Sequence, residues 1–222
     1  MNLNSSLQFL SKLKDNNNKD WFDANRKTYD EIKSDWIKFI EKLIIKTSKI
    51  DINLGNLEAK DCMFRINRDV RFSPNKAPYK SNIAISITKG GKKSIYAGCY
   101  LHIEPDNKSF IAGGLYLPEK EILQKIRTEI DYKPELFDKI ISEKNFIKYF
   151  ESLTGDKLSK APKGFDPYAP HIELLKQKSF LGWHKLSDKK ILEINLEEYF
   201  LDVYKTLMPL NEYLNKAIDF KD

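Results

Sequence analysis

Residues 82–117, NIAISITKGGKKSIYAGCYLHIEPDNKSFIAGGLYL, decide the fold. Apolar side chains alternate with polar or small ones along the three runs, which is the period of a strand with one buried face. The links KGGK and PDNK are too short for a parallel crossover, and they carry the residues of tight turns. The stretch therefore predicts three antiparallel strands joined as a meander.

Two further runs read as strands, CMFRIN at 62–67 and SFLGWHKL at 179–186. Amphipathic helical patterns surround them. A long one begins at residue 20, two central ones begin at Pro118 and Pro134, and a C-terminal one begins at residue 196. Such an order predicts an α+β fold with an antiparallel sheet of about five strands. The expected helices are a long N-terminal helix, a central helix pair and a C-terminal helix. We expect a single domain over residues 1–222.

That domain divides into a helical part, residues 1–52, and a sheet-bearing part, residues 57–222. In a chain of 222 residues, 41% hydrophobic and 32% charged side chains are typical of a globular protein. Charges interrupt every long apolar run, so we expect no membrane span, and no signal peptide is expected at the N-terminus. The only two cysteines lie in apolar runs, which favours the reducing cytoplasm. The net charge of +6 indicates a lysine-rich surface rather than a concentrated basic stripe.

One stretch does concentrate charge: residues 65–80, RINRDVRFSPNKAPYK. Arginine grips carboxylate or phosphate with two hydrogen bonds, and lysine adds a point charge. Two prolines restrict the backbone that presents these groups. The residues expected to bind an anionic ligand are Arg65, Arg68, Asp69, Arg71, Asn75, Lys76 and Tyr79. The alternative is structural: an Arg–Asp network of this kind also ties a loop to a sheet.

A second candidate lies in the meander, where His102 and Glu104 share one strand face beside Tyr100. Two titratable groups on one face can form an acid–base pair, so these two are the candidate catalytic residues. Gly113 and Gly114 on the next strand leave room for a ligand or for another backbone.

A secondary candidate is the proline-stiffened loop KGFDPYAPHIELL, which presents Asp166 and His171. Each residue has an equally simple structural role, because Asp166 can close a turn and His171 can begin a helix. No metal site is assigned, since two ligands do not make one. The chain contains no Gly-rich phosphate loop, CxxC, HExxH or GxSxG motif, and the sequence leaves the cofactor unknown.

The arginine stretch, read as RxxRDxRFxxNKxxY, resembles the signature of an uncharacterised bacterial family, domain of unknown function 2461. Three other segments resemble the family in the expected order: FLSKLKDNNNKDWFDANRKTYDEI, YLHIEPDNKSFIAGGLYLP and PKGFDPYAPHIELLKQKSF. Together they cover nearly the whole chain. The resemblance implies a cytosolic protein and maps the signature onto the arginine stretch, including Phe72. It supplies no catalytic residue, cofactor or substrate.

Three functions follow from these observations. The first is a pocket on the polar face of the sheet that binds a small phosphate- or carboxylate-bearing ligand, with acid–base chemistry if a reaction occurs. The second is nucleic-acid binding, with the same cations on phosphates and tyrosines stacking on bases. The third is a protein-interaction module in which the arginine cluster is an internal brace. The sequence decides neither whether the protein is an enzyme nor its oligomeric state.

Overall fold

The structure, a computed structural model, describes residues 1–220. Within them the chain forms ten α-helices and five strands. The helices are α1 (Leu3–Asp15), α2 (Lys19–Ala24), α3 (Arg26–Ser48), α4 (Ala59–Cys62), α5 (Lys120–Tyr132), α6 (Pro134–Ile141), α7 (Lys144–Phe150), α8 (Ile172–Leu175), α9 (Asp188–Glu193) and α10 (Leu196–Asp219). The strands are β1 (Ile83–Thr88), β2 (Gly98–Ile103), β3 (Ser109–Leu115), β4 (Leu153–Thr154) and β5 (Phe180–Leu186).

The five strands form one antiparallel sheet in the order β1-β2-β3-β5-β4. The meander β1-β2-β3 is consecutive in the chain, as its short turns require. Strand β4 pairs with β5 in the register Leu153 opposite Gly182 and Thr154 opposite Leu181. The predicted α+β class and the five-stranded antiparallel sheet are confirmed.

The membership of the sheet differs from the prediction at one end. Residues 62–67 form no regular strand, because Cys62 closes the short helix α4 and Met63 makes only an isolated antiparallel bridge to β1. A capping box between Glu58 and Asp61 closes the turn of α4, and that local arrangement prevails over the alternating pattern. The fifth strand is instead β4, which is two residues long.

The N-terminal helical region also differs in detail. The expected long helix is divided at Asn25 into α2 and α3. Helix α1 is capped by the side chain of Asn2, which accepts from the amide of Ser5. The hydroxyl of Ser6 accepts a hydrogen bond from the Trp36 indole at 3.0 Å inside the core. A buried indole N–H requires such a partner.

The chain separates into two units, each with its own core. The first comprises residues 1–92, 100–111 and 185–202. Its fully buried side chains include Leu10, Leu13, Trp36, Ile40, Leu43, Ile85, Leu101 and Ile103. The prediction of a single domain stays a prediction.

The second unit comprises residues 93–99, 112–184 and those from 203 onward. Phe137 and Phe180 meet edge to face at 5.8 Å in its interior. Other fully buried side chains of this unit are Ile126, Ile130, Leu175, Val203, Leu207, Leu210 and Leu214.

Within residues 1–220, no helix has both the length and the apolar composition needed to cross a bilayer. The cytoplasmic location favoured by the two cysteines stays a prediction.

Candidate functional site

Residues 65–80, the arginine hairpin, fold back on themselves beside β1. The amide of Phe64 donates to Ala84 O of β1 at 3.0 Å. Further along, the Lys80 amide donates to Ile66 O at 2.8 Å, and the two arms of the hairpin run antiparallel. Backbone pairing therefore fixes the base of the hairpin to the sheet.

At the tip of the hairpin, Asp69 and Arg71 bind each other. Arg71 Nε donates to one carboxylate oxygen at 2.9 Å and Nη2 to the other at 2.7 Å. These side-chain hydrogen bonds hold the pKa of Asp69 below its usual range. The Arg71 side chain is 75% exposed, so the pair lies at the surface. Asp69 therefore orients the side chain of Arg71.

Three other polar side chains of the hairpin bond to the hairpin itself. Arg68 Nη1 donates to Ala77 O at 2.9 Å, and Lys76 Nζ donates to Val70 O at 3.1 Å. The side-chain oxygen of Asn75 accepts the amide of Ala77 at 2.9 Å and closes a turn. These groups therefore stabilise the conformation of the tip.

Tyr79 anchors the hairpin to the helical region of the first unit. It is only 6% exposed, and its ring stacks on Phe22 of α2 with centroids 4.0 Å apart. The side-chain amide of Asn17 binds both backbone groups of Tyr79: it accepts from the N–H and donates to the carbonyl, each at 3.0 Å. The ring of Tyr79 is thus part of the core.

Two cations at the base of the hairpin are used differently. Arg65 is exposed and makes no hydrogen bond or ion pair within residues 1–220. Lys80 is half-buried, with Nζ 5.5 Å from the centroid of the Phe64 ring. Burial, and secondly the charge of Arg65, lower the pKa of Lys80 below its ordinary value. The two cations therefore repel each other where one of them is already partly desolvated.

A chain of hydrogen bonds crosses the polar side of β2. His102 Nε2 lies 2.8 Å from Glu104 Oε2, and the Tyr100 hydroxyl lies 3.3 Å from His102 Nδ1. Ser81 Oγ donates to the other carboxylate oxygen of Glu104 at 3.3 Å. Since a carboxylate only accepts, Nε2–H donates to Glu104, and in the neutral imidazole Nδ1 then accepts from Tyr100. The side chains of His102 and Glu104 are 13% and 19% exposed, so the pair is reachable from solvent.

Aromatic rings surround this histidine. Phe110 of β3 stacks on the imidazole of His102, with centroids 4.6 Å apart and planes at 12°. Tyr100 lies 5.7 Å from Phe110, and Phe64 meets Tyr100 edge to face at 5.8 Å. Burial, with a smaller contribution from the charge of Glu104, raises the pKa of Tyr100. We call Phe64, Tyr100 and Phe110 the aromatic face.

Strand alternation and one turn create this arrangement. In β2, Leu101 and Ile103 are fully buried, while Tyr100 and His102, which alternate with them, are half-exposed. The following turn has Asp106 and Asn107 at positive φ, and both their amides donate to the carboxylate of Asp188. The turn reverses the chain direction, so that Phe110 of β3 lies beside the imidazole of His102.

The secondary candidates lie in the second unit. His171 Nε2 is 2.7 Å from Asp131 Oδ1 of α5, with 14% of the histidine side chain exposed. Asp166 instead accepts the amide of Tyr168 at 2.9 Å and closes a turn in its own loop. No hydrogen bond joins Asp166 to His171 within residues 1–220.

The glycines of β3 make room for protein atoms. A Cβ on Gly113 would lie 2.3 Å from a methyl of Leu207, and one on Gly114 would lie 1.9 Å from Phe180 O. Of the two alternatives left open by the sequence, close approach of the chain itself accounts for both positions.

In the part of the chain that the structure describes, no three His, Cys, Asp or Glu side chains are grouped as ligands of a metal ion.

Sequence reasoning misses several residues of the site. The sequence reading assigns no role in the site to Phe64, Phe110 or Ser81, and its expected ligand-binding residues do not include Lys80. The alternation in β3 could have placed Phe110 beside His102, because both lie on half-exposed positions of neighbouring strands. The contacts of Lys80 and Ser81 depend on the path of the hairpin, for which the sequence gives no local signal.

These features define an α+β protein with a half-open, hydrogen-bonded polar face on a five-stranded antiparallel sheet. Residues 5–213 match a family model described as Conserved hypothetical protein (DUF2461), and the chain belongs to this family. Comparison with curated proteins and with solved structures finds no significant match.

Proposed function

We propose that the polar face around His102 binds a small ligand bearing phosphate or carboxylate, and that His102 exchanges a proton with it. The observation that carries the proposal is the partly exposed, hydrogen-bonded chain Tyr100–His102–Glu104, which the ring of Phe64 connects to Lys80 at the hairpin base. Half-buried titratable groups in a connected network are a common feature of functional sites.

Electrostatics supports an anionic ligand. Arg65 makes no hydrogen bond or ion pair in residues 1–220, and its charge acts on the partly desolvated amine of Lys80. An anion between the two would relieve their repulsion and supply hydrogen-bond acceptors to both. The arginine fork suits carboxylate and phosphate alike, so both classes stay in the proposal.

The role proposed for His102 follows from its partners. Glu104 orients the imidazole by accepting a hydrogen bond from it, and an oriented imidazole can serve as general acid or base. The Tyr100 hydroxyl on the other ring nitrogen offers a route for the proton toward the aromatic face. Glu104 thus acts as a positioning residue.

The remaining hairpin residues have positioning roles in this proposal. Arg68, Asn75 and Lys76 hold the tip through the backbone, and Asp69 holds Arg71. A rigid hairpin keeps the base cations in place for a ligand, because less entropy is lost on binding.

One observation favours a second function, a protein-interaction module. Phe72 at the hairpin tip is 93% exposed, while the ion pair of Asp69 and Arg71 beside it is internal to the tip. An exposed aromatic side chain on a braced loop is suited to insertion into a partner's apolar pocket. In this version the arginine cluster is the brace and the tip makes the contact.

The experiment titrates inorganic phosphate and, separately, citrate into the protein. Binding is measured by calorimetry and by the shift in melting temperature. Arg65→Ala should weaken binding about tenfold or more, the typical worth of a charge-assisted hydrogen bond. Lys189→Ala is the matched control, because it also removes one exposed cation from the first unit. The proposal would be refuted if neither anion bound, or if Arg65→Ala and Lys189→Ala lost the same amount of affinity.

A separate titration with single- and double-stranded oligonucleotides tests the nucleic-acid alternative. Affinity that falls steeply between low and high salt would favour it over a small-ligand site.

A further inference from the structure

The polar face is bordered by rings as well as by cations. Phe64, Tyr100 and Phe110 are half-exposed, and together with the imidazole of His102 they form a continuous series of ring contacts. Purely electrostatic recognition of an anion would require none of these rings. Half-exposed aromatic surface next to cations fits a ligand that is itself part apolar.

The contacts of the aromatic face run in one series from Lys80 at the hairpin base to the imidazole. Lys80 lies over Phe64, Phe64 contacts Tyr100, and Tyr100 hydrogen-bonds to His102. A ligand with its anionic group at Lys80 and Arg65 would therefore extend along Phe64 and Tyr100 toward the imidazole. Flat rings gain more from such a surface than aliphatic ones, because aromatic pairs add quadrupole attraction to the burial of area.

We propose that the ligand of this site is a planar aromatic ring carrying an anionic group, held by Arg65 and Lys80 at its charged end and by the aromatic face along its ring. The inference rests on the proposed function and specifies its ligand class. Two sources share this chemistry: an aryl carboxylate and a nucleotide, whose base carries a phosphate through a sugar.

The test uses matched pairs of probes that differ only in the ring. Benzoate is compared with cyclohexanecarboxylate, and adenosine monophosphate with ribose 5-phosphate, by calorimetry at one ionic strength. We expect the aromatic member of at least one pair to bind tenfold or more tightly than its partner. The pair that shows the difference identifies the source, aryl carboxylate or nucleotide.

The outcomes separate the two proposals. Equal affinity within both pairs would overturn the aromatic ligand class and leave the anion site standing. No binding by any of the four probes, nor by phosphate or citrate, would overturn both.

Variants locate the effect on this face. Phe64→Leu removes the ring but keeps the position apolar, so it should abolish the preference for the aromatic probe while leaving the saturated probe unchanged. Phe72→Leu is the control, since it removes a ring of the same hairpin that lies far out in solvent. Phe110→Leu provides a second variant if Phe64→Leu is unstable. A preference that survives both substitutions would refute the inference.

A spectroscopic readout distinguishes stacking from a structural effect of the substitutions. Ring protons of the bound aromatic probe should shift upfield in NMR spectra of the wild type. That upfield shift should be lost in Phe64→Leu and retained in Phe72→Leu. Absence of any upfield shift in the wild-type complex would contradict stacking on the aromatic face.

Discussion

The arginines of the hairpin differ in how their charges are compensated by neighbouring groups. Arg65 makes no hydrogen bond or ion pair within residues 1–220 and destabilises the ammonium form of Lys80. Arg71, six positions on, is fully engaged by Asp69. Two arginines of one signature thus differ in their contacts, which residue type alone does not reveal.

The first prediction concerns this repulsion. Arg65→Ala should raise the pKa of Lys80 toward the ordinary lysine value, because it removes a like charge that favours the neutral amine. The pKa is measured by NMR of the protein with ¹³C-methylated lysines. Lys189→Ala should leave it unchanged, and an unchanged pKa in Arg65→Ala would contradict the proximity of the two cations.

Ligand binding should follow the protonation of the same amine. An anion prefers the ammonium form, so affinity should fall as the pH rises through the pKa of Lys80. Because that pKa is depressed, the fall should begin at a lower pH than for an ordinary lysine. Calorimetry across the alkaline range measures it. Lys80→Met should remove this step from the pH profile, and persistence of the step would assign it to another group.

Two phenylalanines of the first unit differ sharply in their surroundings. Phe72→Ser should change the free energy of unfolding by less than about 0.5 kcal/mol, because the ring is 93% exposed. Phe22→Ala should cost about 3–5 kcal/mol, because that ring is buried and stacks on Tyr79. Urea denaturation measures both. A large loss in Phe72→Ser would show that the tip is packed in solution.

Among the elements, the hairpin depends on one side chain from outside it. Asn17→Ala removes both hydrogen bonds to the backbone of Tyr79 and should cost about 1–3 kcal/mol. Amides of the hairpin should then exchange hydrogen faster, which mass spectrometry can localise. Asn4→Ala, an exposed position in α1, is the control. Unchanged exchange in the hairpin would show that Tyr79 is held by its ring alone.

Close approach of β3 to β5 makes one glycine indispensable. Gly114 has φ 109°, and a Cβ there would lie 1.9 Å from Phe180 O, so Gly114→Ala should prevent correct folding of the second unit. Gly164 also has a positive φ, 92°, but a Cβ there would meet no atom within 4 Å, and Gly164→Ala should cost only about 1 kcal/mol. Thermal denaturation compares them, and equal stability would be inconsistent with the close contact.

At the scale of the whole molecule, the two cysteines report on the two units. Cys62 lies in the first unit and Cys99 in the second, and both are fully buried. Burial raises the pKa of Cys62 to about 12 and raises that of Cys99 as well, so neither thiol should react with a disulfide reagent in the native state.

The rate of thiol labelling in mild denaturant tests the prediction of a single domain. If residues 1–222 unfold as one domain, Cys62 and Cys99 should become reactive at the same rate, as measured by mass spectrometry of labelled peptides. Single-cysteine variants, Cys62→Ala and Cys99→Ala, control for cross-reaction. Clearly different rates would indicate that the units unfold separately.

Local signals predict the meander and the pairing of His102 with Glu104, because both depend on the two-residue period of a strand. They do not predict β4, which is too short to show a period, or the short helix α4, whose first turn has a capping box formed by Glu58 and Asp61. The sequence places Tyr79 at the ligand, yet its ring stacks on Phe22, a contact between distant parts of the chain. Contacts of this kind depend on packing, which no local pattern encodes.

The two hydrogen bonds between the Asn17 side chain and the backbone of Tyr79 have a consequence for solubility. In the antiparallel pairing of the hairpin, the N–H and C=O of Tyr79 point away from the opposite arm, and an amide side chain occupies the position that another strand would take. An open strand edge recruits other chains into intermolecular sheets. The Asn17 side chain therefore blocks intermolecular strand pairing at this edge. Its removal should first appear as aggregation at high protein concentration.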